Sequence, residues 1–140
     1  MNIKMSTAIA VAVGAGVLAI GGPALAEGSW TSSIKDASTG FSSRTWTDSN
    51  KDSAATQITL AGCSVYGDNV ANDKTRLQLT RETPVWQPDE NKGQKDFFCV
   101  KSATGNWGDV AAGDYHFSII TINGYDSGRR LSATSVKTSY

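Results

Sequence analysis

Gln57-Ile58-Thr59-Leu60-Ala61-Gly62-Cys63 is the stretch on which the fold turns. The polar Thr59 separates Ile58 from Leu60, so an extended chain sends both apolar side chains to one face and the hydroxyl to the other. That is the pattern of a half-buried strand. Gly62 then interrupts the run just before Cys63, where a bend or bulge re-aims the backbone. The same alternation recurs in Leu77-Gln78-Leu79. Nowhere after Ala26 do apolar residues recur at helical spacing over about ten positions.

The chain therefore reads as all-β, with strands over residues 43–47, 55–60, 74–81, 95–101, 115–122 and 131–140 and a further short strand over 30–34. Phe97-Phe98-Cys99-Val100 is apolar on both faces and reads as a central or doubly covered strand. Asn123-Gly124 marks a tight turn, because both residues tolerate positive φ. Short strands separated by such turns fit a small antiparallel β-sandwich.

Gly113-Asp114-Tyr115-His116-Phe117 resembles the strand of immunoglobulin-like and fibronectin-like sandwiches in which a tyrosine bonds back to upstream backbone. The resemblance implies an immunoglobulin-like sandwich with Tyr115 as the corner residue. It carries no functional implication. Phe117 stands where antibody domains have a cysteine, so any disulfide here differs from theirs.

The first 26 residues have the grammar of a secretory signal: Lys4, an uncharged apolar run over residues 8–20, the breakers Gly21-Gly22-Pro23, and Ala24-Leu25-Ala26 as a cleavage site. The apolar run is shorter than the roughly 20 residues of a spanning helix, so cleavage and release are expected instead of membrane insertion. The expected mature chain is residues 27–140, secreted to the outside of the cell. Residues 27–42 are rich in Gly, Ser and Thr and read as a flexible N-terminal arm, leaving residues 43–140 as one sandwich domain.

Two cysteines in an oxidising compartment can pair in one way, so a structural disulfide Cys63–Cys99 is expected. The whole chain has 13 basic and 13 acidic residues; Lys4 is the only charge within residues 1–26, which leaves 12 against 13. That near-balance argues against nucleic acid as a partner, since binding it requires a basic surface.

Catalytic and cofactor motifs are absent from the sequence. His116 is the one histidine, and strand alternation sends it away from its neighbours Tyr115 and Phe117, toward a polar face. Asp48, Asn50 and Asp52 place oxygens at alternate positions, as a calcium loop does. Ser53 and Thr59 break that pattern where an EF-hand needs Gly and Glu, and the same residue types are ordinary turn formers. Trp86, between Pro84 and Pro88, and Trp107, between Asn106 and Gly108, sit in segments unsuited to regular strands. With Tyr125 and with Trp30 in the arm, they are the candidate contacts for a partner, and Arg129-Arg130 lies near Tyr125. Exposed aromatic residues and arginine dominate protein interfaces, and aromatic rings also stack on sugars. The expectation is a secreted, non-catalytic, protein-binding module: an adapter, a subunit of an extracellular assembly or an inhibitor. The alternatives are a carbohydrate or cell-wall binding module, and a small hydrolase or toxin.

Overall fold

The computed structural model describes residues 27–140. The secretory segment expected over residues 1–26 lies outside the described residues. Eight strands follow one another: β1 (Ser29–Ala37), β2 (Trp46–Asp48), β3 (Gln57–Tyr66), β4 (Lys74–Glu82), β5 (Glu90–Phe98), β6 (Ser102–Asn106), β7 (Gly113–Ile122) and β8 (Arg130–Ser139). They form two four-stranded sheets, ordered β1-β8-β3-β6 and β2-β7-β4-β5, with every pairing antiparallel.

The order has a simple logic. β1 pairs with β8, β2 with β7, β3 with β6 and β4 with β5, so the chain is one long doubled ribbon whose tip is the β4–β5 link. Rolling that ribbon brings β3 against β8 and β4 against β7, which completes the two sheets. This winding is the jelly roll. The small antiparallel sandwich is as expected, and its strand order is a related one that differs from the order of immunoglobulin domains. The local half of the resemblance is present: the Tyr115 hydroxyl donates to the carbonyl of Ala111, four residues upstream. A tyrosine corner depends on local chain geometry and is compatible with either winding.

Alternation accounts for the core. Ile58 and Leu60 from β3, Leu77 and Leu79 from β4, Tyr115, Phe117 and Ile119 from β7, and Leu131 and Val136 from β8 all lie buried between the sheets. The link after β7 is the expected tight turn. Asn123 and Gly124 both have positive φ, and Ile122 and Tyr125 exchange backbone hydrogen bonds across it, the geometry of a two-residue hairpin. Gly62 also has φ of +63°, and a Cβ there would stand 2.1 Å from Thr134 Oγ1 on the neighbouring β8, so only glycine fits.

Three expectations change. Residues 29–37 do not form a free arm: they are β1, paired with β8 along its length, with Ile34 and Ala37 turned into the core. The short strand expected over residues 30–34 is part of this longer one, whose ends were obscured because its outward positions are polar and two register shifts break its alternation. The run at Phe97 is an edge strand instead of a central one. Phe97 is buried, while Phe98 and Val100 are exposed, and Lys74 covers the Phe98 ring at 5.4 Å. Finally, residues 102–106 form β6, a strand of Ser, Ala, Thr, Gly and Asn with no apolar alternation to announce it.

Cys63 and Cys99 are joined, with Cα atoms 5.2 Å apart. Cys63 belongs to β3 in one sheet, and Cys99 follows β5 where the chain leaves the other. The bridge thus fastens the sheets at one side of the sandwich. It is consistent with an oxidising, extracellular setting.

Candidate functional site

The aromatic candidates do not share a surface. Trp86 lies in the β4–β5 link, at the end of the sandwich where β4 finishes. Tyr125 lies in the β7–β8 turn, beside Ile122, which pairs with Thr75 near the start of β4. The length of β4, nine residues at about 3.3 Å each, separates the two ends by about 30 Å. Trp107 is half-buried: its ring stacks on Phe97 at 6.2 Å and its indole N–H donates to the Gly93 carbonyl at 3.1 Å. It plugs the sandwich instead of presenting a free ring. Trp30 is also half-buried, stacked on Phe117 and tilted against Trp46.

The β4–β5 tip is built to hold its apolar residues outward. Pro84 accepts a hydrogen bond from the Gln87 backbone at 2.8 Å, closing a turn with Val85 and Trp86 at its centre. The Thr83 hydroxyl lies 2.9 Å from the Gln87 carbonyl and 3.0 Å from that of Pro88, and the Thr83 N–H donates to Asp89 Oδ1 at 3.0 Å. Two prolines restrict the backbone further. Val85 is fully exposed and Trp86 is 78 % exposed. Burying such side chains on a partner is favourable by about 1.5–3 kcal/mol for a residue of valine size.

At the opposite end, two arginines cover two tyrosines. Arg129 stands 4.2 Å over the Tyr125 ring and Arg130 stands 5.3 Å over Tyr66, its register partner across β3 and β8. Arg129 Nε also lies 3.4 Å from Asp68 Oδ2. The Asn69 backbone N–H first, then Arg129 and Asn123, hold the Asp68 carboxyl below its usual range. Tyr66 escaped sequence reasoning because its strand was expected to end at residue 60 and instead runs on to Tyr66; its pairing with Arg130 needed the register.

His116 faces outward from β7, as alternation requires, with Nδ1 3.0 Å from Glu82 Oε1. The Thr45 hydroxyl donates to the same Glu82 oxygen at 2.7 Å. A nucleophile–base–carboxylate relay needs the hydroxyl on the histidine's other nitrogen. Here both groups converge on the carboxylate, which ties β2's approach to β4 and β7.

In the 48–52 loop the oxygens serve the backbone. Asp48 Oδ1 accepts from the Asn50 N–H and Asp52 Oδ1 from the Ala54 N–H, both at 2.8 Å. With its amide nitrogen facing the acceptors, Asn50 donates to Asp109 Oδ1 at 2.8 Å, which directs a donor where calcium would want an oxygen. Glu27 accepts from the backbone N–H groups of Ser49 and Lys51, and the Lys51 bond chiefly lowers its pKa. Asp48 is buried, and desolvation, reinforced by the charges of Glu27, Asp52 and Asp109, raises its pKa. Among the described residues no group of three or more His, Cys, Asp or Glu side chains is placed to hold a metal.

Neither family models, nor curated proteins, nor solved structures give a match to this chain.

Proposed function

We propose that this protein is a secreted, non-catalytic binding module that engages another protein through the tip of its β4–β5 hairpin. The observation that carries the reading is the exposed Val85-Trp86 pair, held outward by a turn that Thr83, Gln87 and Asp89 fasten from inside. A rigid aromatic anchor loses little conformational entropy on docking, which is why such residues dominate binding energy. Secretion is supported by the N-terminal pattern of residues 1–26 and by the disulfide. The jelly-roll frame contributes rigidity, and β1, being used inside its own sheet, leaves the tip as the projecting element.

The test is affinity capture from the native extracellular medium, followed by purification of the captured protein and titration against variants. Val85→Ser with Trp86→Ser should weaken binding at least tenfold, whereas Tyr66→Ala with Tyr125→Ala at the other end should leave it within twofold. A partner indifferent to the tip variant would refute the tip as the contact. Retention on insoluble polysaccharide without any protein partner would replace this reading with carbohydrate binding.

A further inference from the structure

The two open sides of the sandwich are finished differently. On the β5–β6 side the disulfide and the Trp107 plug close the gap between sheets. On the β1–β2 side a shallow cleft remains, with a volume of about 80 Å³. Trp30 and Ile34 of β1, Phe41 of the following link, Phe117 of β7 and Val136 of β8 line it, and Arg44 stands at its rim. Trp30 and Phe117 are stacked, with ring planes 10° apart and centroids at 6.2 Å, so the half-buried Trp30 offers the apolar surface and the buried Phe117 backs it.

The Ser43 hydroxyl at this cleft is bonded to the backbone of Arg44 and Phe117, but two other polar groups lack an anionic or accepting partner. Arg44 lies 5.5 Å over the Trp30 ring, and no carboxylate among the described residues is within ion-pairing distance of it. The Trp30 indole N–H is enclosed without an acceptor among the described residues. An apolar wall with a free guanidinium at its mouth matches an anion whose body is apolar and whose charge sits at one end. The cleft's volume is well below the roughly 300 Å³ at which most ligand sites begin, so the body it fits is no more than one ring or a short alkyl chain.

We propose that the cleft between β1 and the 41–44 segment binds a small apolar carboxylate, with its apolar body against Trp30 and Phe41 and its carboxylate paired with Arg44. The site is independent of the β4–β5 tip, so either proposal can fail alone.

The experiment titrates the purified protein with phenylacetate, using 2-phenylethanol and phenethylammonium as neutral and cationic controls of similar shape. It reads calorimetry and backbone amide shifts. Phenylacetate should bind saturably, with the largest shifts at Trp30, Ile34, Phe41 and Phe117, and at least tenfold more tightly than either control. Arg44→Gln should remove that preference and leave the weak affinity for 2-phenylethanol unchanged. Ser33→Phe, a filling substitution at the exposed rim, should abolish binding of both. Absence of saturable phenylacetate binding to a folded protein would overturn the proposal. So would equal affinity for the cationic control, or shifts that map away from the cleft.

Discussion

Gly105 of β6 lies directly against Phe97 of β5: a Cβ on Gly105 would stand 2.6 Å from Phe97 Cζ and 3.0 Å from the Trp107 ring. Phe97 is wholly buried and Trp107 is pinned to Gly93, so neither ring has room to yield. Gly105→Ala should therefore destabilise the protein by about 1–3 kcal/mol, the scale of overpacking a filled core. Thermal unfolding and the near-ultraviolet circular dichroism of the displaced rings would measure it.

Trp86 and Trp107 occupy neighbouring links but should respond oppositely to truncation. Trp107→Ala removes the stack on Phe97 and the bond to Gly93, at a cost of about 2–3 kcal/mol for a half-buried aromatic. Trp86→Ala touches nothing in the fold and should stay within about 0.5 kcal/mol of the parent. Denaturant unfolding of the two variants side by side is the check. A large loss for Trp86→Ala would mean that the tip serves the fold.

Asp48 sets a pH dependence of definite sign. Burial first, then the neighbouring carboxylates Glu27, Asp52 and Asp109, raise its pKa in the folded state above the unfolded value. Its contribution to stability is therefore full below that unfolded value and is lost as pH rises through the folded pKa. Asp48→Asn keeps an acceptor for the Asn50 N–H and removes the charge. It should raise the melting temperature at pH 7 by about 2–5 °C, and the gain should shrink as the pH falls through the folded pKa of Asp48 and be gone below the unfolded value. Melting curves from pH 3 to pH 7 would read it, and a constant difference across that range would contradict the assignment.

The Cys63–Cys99 bridge closes a loop of sequence separation 36. Loop-closure entropy for such a span is worth about 3–4 kcal/mol. Replacing both cysteines with Ala should lower stability by roughly that amount, a large share of the total for a domain of this size. Because Cys99 is fully buried and Cys63 nearly so, reductant alone should act slowly on the native protein. Adding denaturant below the unfolding midpoint should accelerate the reduction.

Alternation made most strands legible. Ile58 with Leu60, Leu77 with Leu79, and Tyr115 with Phe117 all face the core, because a strand facing solvent on one side writes its burial into every second residue. The Asn123-Gly124 turn was equally readable, since positive φ is a local demand that these two residues meet. Where the signal was carried by a partner, the sequence was silent. β6 has polar side chains and is held by β3. β1, of which only residues 30–34 were expected, has shifted register and is held by β8. The apolar doublet Phe97-Phe98 misled because Lys74 covers one of the two rings at an edge.

For the candidate sites, residue type was legible and grouping was not. The sequence offered Trp30, Trp86, Trp107 and Tyr125 as one set of contacts. The rolled ribbon sends Trp86 and Tyr125 to opposite ends, folds Trp107 onto Phe97, and seats Trp30 in the wall of a cleft. By itself the sequence determined an all-β chain, its main strands, its one disulfide and a near-neutral charge, because these follow from periodicity, cysteine count and composition. The jelly-roll winding, the exposed tip and the Arg44 cleft were decided only in the tertiary structure, because each depends on which distant strands pair, and pairing is a contest among long-range contacts that no local segment encodes.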